Sequence, residues 1–257
     1  DAFEGYDHDD VKGLLKNRIR AGRENLDTAI NALQTLCDPV KPPKDLVDYF
    51  EYFCGSPNEL DNTKKLKETS PRRFQFYNST SSFVRAYANL ANSMEEAGYD
   101  QNEFIKIKKM VKEFQGIKDS IKLRSGESID LKRFEPEMRH LIDNYIDAEE
   151  SQKISVFEDM TLVELIVKRG IADVVKNLPK KIRENKGLVS EVVQSNIRKL
   201  ITEEKSTDPK FFERMSTLLD EIILDMKKGA LEYEAYLKKL ETLSKKLTDR
   251  FTDYSWF

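Results

Sequence analysis

The spacing of apolar residues constrains this chain most: they recur three and four positions apart from one end to the other and scarcely alternate. Helices bury such a pattern along one side, and strands do not, so the spacing predicts an all-α fold, a bundle of many helices. From Asp10 to Leu36 the positions Val11, Leu14, Leu15, Ile19, Leu26, Ile30, Leu33 and Leu36 form one stripe, ended by Pro39, Pro42 and Pro43. A short aromatic helix follows with Leu46, Val47, Phe50 and Phe53 inward, closed by Gly55-Ser56-Pro57. The segment from Pro71 to Glu96 carries Phe76, Phe83, Val84, Tyr87, Leu90 and Met94 at helical spacing and stops at Gly98. Another helix is expected from about Asp100 to Leu123, with Phe104, Ile107, Val111, Phe114, Ile117 and Ile121 on one side and Lys106, Lys108, Lys109 and Lys112 towards water.

Around Ser125-Gly126-Glu127-Ser128 the pattern breaks, and Ile129 to Phe134 alternates as a short extended piece does. One short two-stranded element near 128–134 and 153–158 is therefore expected, and the subdomain boundary falls here. Residues 1–125 form an N-terminal helical subdomain, and 126–257 a closely packed C-terminal one with a long final helix. Pro136 starts a helix carrying Met138, Leu141, Ile142, Tyr145 and Ile146. Thr161-Leu162-Val163-Glu164 has the hydroxyl and carboxylate at capping-box spacing, so a helix begins there and ends at Gly170. Pro179 opens a longer helix through Val189, Val192, Val193, Ile197, Leu200 and Ile201. Asp208-Pro209 repeats the start signal for a very long helix running from Phe212 to Leu243, bent at Gly229.

The 257 residues exceed one average domain and can close a sizeable core. No stretch approaches the roughly 18 uninterrupted apolar residues that a bilayer crossing requires. Lys plus Arg (43) nearly cancels Asp plus Glu (46) for a net charge of -3, so the chain is no polycation, and any phosphate contact must come from a local patch. Cys37 and Cys54 are too few for a disulfide framework and lack zinc-site spacing, which fits two thiols in a reducing, cytoplasmic compartment. The opening DAFEGYDHDD has no initiator Met and no basic-then-apolar layout, and reads as the start of a fragment of a longer protein.

The chemistry the sequence lacks is equally informative. None of the ten glycines is followed by Lys, and no two have dinucleotide-turn spacing, so neither usual nucleotide-binding loop can be written. His8 and His140 stand 132 positions apart, without a second His or Cys at helical metal-site spacing. A serine hydrolase elbow is also absent. One weak pattern remains: Asp130-Leu131-Lys132, with Asp119 eleven residues upstream, fits the acid-x-Lys step with which Mg²⁺ nucleases hold a cation and steady an attacking water. The same step occurs at Glu203-Glu204-Lys205 and Asp225-Met226-Lys227, as a chain that is 35% charged produces by chance.

Charge concentrates in one place. Between Lys176 and Lys199 stand Lys176, Lys180, Lys181, Arg183, Lys186, Arg198 and Lys199 against Glu184 and Glu191. Tyr145 to Leu165 just before it is acidic, with six carboxylates against Lys153. Charge runs on helices are mostly solvent faces, and the two runs could partly neutralise each other within the fold. The alternative is that the basic run meets phosphates or an acidic face of a partner, aided by backbone N–H groups at a helix start.

The stretch from Ile117 to Ser151, above all IDLKRFEPEMRHLIDNYIDAEES, resembles the C-terminal helical region of the R subunits of type I restriction enzymes. The similarity continues through LVELIVKRG, NLPKKIRENKGLVSEVVQSNIRKLI and DPKFFERMSTLLDEII, and the opening DAFEGYDHDDV is similar to the point where such subunits leave their second motor domain. The ending TDRFTDYSWF departs from the family. The resemblance implies a parent enzyme that uses ATP and Mg²⁺ to translocate and cut DNA, with nuclease and ATPase parts upstream. It implies for this segment no catalysis, no cofactor and no metal of its own, and partners in the methyltransferase and specificity subunits, with DNA in the full complex. Two other readings of the residues stay open: a cryptic Mg²⁺ nuclease site at Asp119, Asp130 and Lys132, and a free-standing helical adaptor.

Overall fold

The structure, a computed structural model, describes residues 8–56, 62–127 and 160–252. Among these the chain is all-α: ten α-helices, one turn of 3₁₀ helix (Ala91–Ser93) and no strand. The helices are α1 (His8–Cys37), α2 (Leu46–Cys54), α3 (Asn62–Leu90), α4 (Gln101–Ser125), α5 (Leu162–Arg169), α6 (Ile171–Asn177), α7 (Lys180–Arg183), α8 (Lys186–Glu204), α9 (Pro209–Lys227) and α10 (Tyr233–Thr252). The extended element expected at 128–134 and 153–158, and the helix expected from Pro136, lie outside the described residues.

The described residues gather into two compact units, and the division differs from a split at 125/126. The first holds 8–39 and 74–118. The second holds 40–56, 62–73, 119–127 and 160–252. Residues 40–73 therefore belong with the C-terminal helices, for a reason the sequence pattern hides: α2 and the first turns of α3 are tied into that unit by buried charged side chains.

In the first unit, Leu26 and Leu33 of α1, Phe76, Phe83, Val84 and Tyr87 of α3, and Ile107, Val111 and Ile117 of α4 are buried. Phe114 meets Phe76 and Phe83 edge-on, and Phe104 stacks on Tyr87. α4 starts where Asp100 and Glu103 exchange backbone–side-chain hydrogen bonds of 2.8 and 2.9 Å. Arg23 of α1 donates to the Ala97 carbonyl at 2.6 Å, and Tyr99 donates to Asp27 at 2.7 Å, so α1 holds the turn before α4. The α1 stripe seats only partway: Leu14 and Leu15, expected inward, are 59% and 51% exposed.

In the second unit Asp45 and Asp48 cap α2 reciprocally, and Gly55, with φ of 88°, ends it. Val47, expected inward, faces solvent, whereas Leu46, Phe50 and Phe53 are buried. The last carbonyls of α2 are taken by α3: Arg72 donates to Tyr52 O at 2.8 Å and Arg73 to Phe53 O at 3.0 Å, both cations at the negative end of a helix. α3 starts nine residues before Pro71, which lies inside it. The reason is a buried face of Leu66, Thr69 and Arg73, two-thirds polar and so invisible to an apolar stripe.

α5 has the expected Thr161–Glu164 capping box and ends at Gly170. It packs on α10, α8 and α6. Gly170 brings no capping side chain to α6; Glu241 of α10 accepts from the Ile171 N–H instead, at 3.4 Å. The helix expected to run on from Pro179 is interrupted. α7 lasts four residues, and Asn185 starts α8 by accepting from the Gly187 and Leu188 N–H groups at 2.9 and 3.2 Å. The single long helix expected from Phe212 to Leu243 is two, α9 and α10, packed on each other. Gly229, with φ of 70°, turns the chain, and the Ala230 and Gly229 N–H groups close on Asp225 and Met226 carbonyls, which stops α9 instead of bending it.

Candidate functional site

The basic run resolves into a corner and a remainder. The corner is the turn between α6, α7 and α8. Leu178 and Ile182 are wholly buried and pin it from below, so the intervening Lys180 and Lys181 turn outward. Lys176, at the end of α6, and Lys186, at the start of α8, are also exposed, and Arg183 is half-buried. Arg183 reaches back to the Lys176 carbonyl at 3.4 Å, which ties α7 to the end of α6.

Lys180 lies 4.0 Å from Glu184, a pair whose side chains are both more than half exposed and whose attraction water largely screens. Lys186 sits with Nζ 4.9 Å from the centre of the Tyr233 ring. Burial pushes the Tyr233 phenol up to about 12, so the ring stays uncharged beneath the ammonium. Glu191, a carboxylate that the sequence set against the run, is buried on α8 and bonded to Arg124, so it does not screen the corner. The Gly187 and Leu188 N–H groups at the start of α8 already serve Asn185.

Arg198 and Lys199 stand apart. They follow Lys186 by twelve and thirteen residues on one helix, about 18 Å along its axis. Arg198 donates to Asp220 of α9 at 2.6 Å. Lys199 donates to the Gly126 carbonyl and lies 3.8 Å from Glu203, while Asn196 donates to the Leu123 carbonyl at 2.7 Å; together α8 closes the C-terminal end of α4. The structure brings together Lys176, Lys180, Lys181, Arg183 and Lys186, and uses Arg198 and Lys199 to hold helices to one another.

A second polar cluster carries no sequence signature. Arg73 donates to Glu127 through Nε and Nη2, at 2.9 and 2.5 Å, and to Thr69 and Leu66 O at 2.6 and 2.8 Å. Arg124 donates to Glu191 and Ser195, both at 2.5 Å. Buried Cys54 feels both guanidinium charges, yet burial prevails and pushes its thiol up to about 11. Such a thiol is a poor nucleophile, and the cluster is a joint and not a reactive centre.

Of the nuclease pattern, Asp119 is buried in α4, while Asp130 and Lys132 lie outside the described residues, as does His140. Among the described residues no three His, Cys, Asp or Glu side chains are grouped to hold a metal ion, and no helix is long and apolar enough to cross a membrane. Cys37 and Cys54 are buried and form no disulfide. Comparison of the chain with family models, curated proteins and solved structures finds no match.

Proposed function

We propose that this chain is a helical assembly module of a type I restriction enzyme R subunit, acting in the cytoplasm. It docks an upstream ATP- and Mg²⁺-dependent motor on the methyltransferase-specificity core and contacts DNA in the full complex. The segment itself performs no catalysis. The resemblance of IDLKRFEPEMRHLIDNYIDAEES and the segments after it supports the family. The observation that carries the binding role is the corner of Lys176, Lys180, Lys181, Arg183 and Lys186, held on two buried apolar residues with its four lysines exposed. Exposed lysines seated on a buried apolar base suit phosphate contact, which is indifferent to base sequence.

The test is the salt dependence of binding by the whole chain, with a labelled random-sequence duplex in one arm and a purified methyltransferase-specificity core in the other. Phosphate contact gives a fall in log affinity with log salt of about 0.9 per phosphate neutralised, and Lys180→Glu with Lys181→Glu removes roughly two units of that slope. Core binding with a shallow slope that the same pair of changes abolishes assigns the corner to the protein partner. Binding to neither overturns the reading.

A further inference from the structure

α9 has two unlike faces. Phe212, Leu219 and Ile222 are buried in the second unit. On the other side Lys210, Glu213, Arg214, Thr217, Leu218 and Glu221, together with Met215, line an open groove of about 830 Å³. Leu224, one turn beyond Glu221, is 48% exposed. Along the middle of this face the charges are ordered, Lys210 and Arg214 before Glu221 and Asp225, with Glu213 on its flank. That order does nothing for the helix itself, since Lys210 in the first turn is a cation at the positive end of the dipole. Nor do the charges satisfy each other. Arg214 and Glu221 are seven residues apart, about 10 Å along the axis, and among the described residues neither side chain has an ion pair.

The same order becomes favourable when the face meets a reversed copy of itself. We propose that a second copy of this chain docks on this face, α9 against α9, antiparallel about a two-fold axis beside Thr217 and Leu218. Arg214 of each copy then meets Glu221 of the other, and Lys210 meets Asp225, which within its own chain lies 3.5 Å from Lys239. The opposed helix dipoles run in their favourable sense. The contact is isologous, so each attraction occurs twice. A nucleic acid is the wrong occupant, because Glu213 and Glu221 would face its phosphates. The pairing stands independently of the basic corner, which lies on other helices.

Sedimentation equilibrium of the full 257-residue chain tests it. The expected result is a reversible monomer–dimer equilibrium that Arg214→Glu or Glu221→Arg alone weakens by about tenfold or more, because each change turns two attractive pairs repulsive. The double variant, with the charges exchanged, returns to within about threefold of the unmodified protein. The solvent position of both side chains leaves folding intact, which circular dichroism checks. A monomer at protein concentrations up to about 1 mM, a dimer indifferent to either reversal, or a double variant no better than the singles overturns the pairing. Binding of a duplex oligonucleotide that the same reversals weaken, without dimers, assigns the face to another occupant and overturns it as well.

Discussion

Arg124 of α4 and Glu191 of α8 form an ion pair at 2.5 Å in which the guanidinium has no solvent exposure and the carboxylate almost none. Its Nη1 is taken by Ser195, while Nη2 has no hydrogen-bond partner. Removing two charges from water costs several kcal/mol per ion, which a short, well-aligned pair about offsets. The joint therefore contributes little net stability intact and costs much when halved. Arg124→Met or Glu191→Ala alone should lower unfolding free energy by about 3–5 kcal/mol, because each strands a buried charge. Arg124→Met with Glu191→Leu should recover most of the loss, as read by urea denaturation. Equal losses from the singles and the double would show that the pair carries its full Coulomb energy into stability.

Glu241 of α10 sits at the crossing of three donors. Its Oε1 accepts from Lys245 Nζ at 2.7 Å and Lys238 Nζ at 3.2 Å, and its Oε2 from the Ile171 N–H, the first of α6. The hydrogen bond from Lys245 chiefly holds the carboxyl below its ordinary value, against an opposing effect of burial. A group whose value is depressed on folding stabilises above its unfolded value, about 4.3 for Glu, and loses that contribution as pH falls through the folded one. The urea midpoint should thus fall more steeply below about pH 4.3 in the unmodified protein than in Glu241→Gln. The variant should be the less stable near neutral pH, and the two curves should converge in acid.

How much was legible follows from where the signal resides. Asp208-Pro209, Thr161 with Glu164, and the glycines Gly55 and Gly170 act through their own neighbouring backbone, and each marks a helix end where its chemistry puts one. Asn185 and Gly229 act equally locally, but both stand inside apolar stripes that continue in phase across them, so the periodicity masks the break. Arg73, Arg124 and Glu191 read as solvent charges because each needs a partner 54 to 71 residues away to be buried. That dependence on distant partners also moved residues 40–73 into the second unit. In the basic run, Lys180 and Lys199 are the same residue type; Leu178 and Ile182 expose the one, and the end of α4 captures the other.

The thiols give a pH-dependent chemical probe. Cys37 and Cys54 are both buried, and Cys54 keeps its proton up to about pH 11 because burial penalises the thiolate. An aromatic disulfide reagent at about pH 8, where an ordinary exposed thiol is partly ionised, should label neither residue in the native protein and both in denaturant. Because the folded value exceeds the unfolded one, about 8.5, the Cys54 contribution is intact below the latter and declines as pH rises towards about 11. Cys54→Ala should remove that alkaline decline. Rapid native labelling of Cys54 would mean that the joint around Arg73 and Arg124 opens far more often than its packing allows.

Two glycines in the left-handed region separate backbone strain from crowding. Gly229 has φ of 70° and nothing within 4 Å of where a Cβ would stand. Gly126 has φ of 60°, but a Cβ there would lie 2.9 Å from Asn196 Oδ1 and 3.0 Å from Lys199 Cδ. Gly229→Ala should therefore cost only the conformational penalty, about 1 kcal/mol. Gly126→Ala should pay that and also displace Asn196, which donates to Leu123 O, and Lys199, which donates to Gly126 O itself. Loss of those two closures of α4 adds about 1–2 kcal/mol. Thermal unfolding of the two variants side by side should show the larger drop for Gly126→Ala, and Asn196→Ala should shrink the gap between them, because it removes one of the two atoms in the way and one of the two bonds at stake.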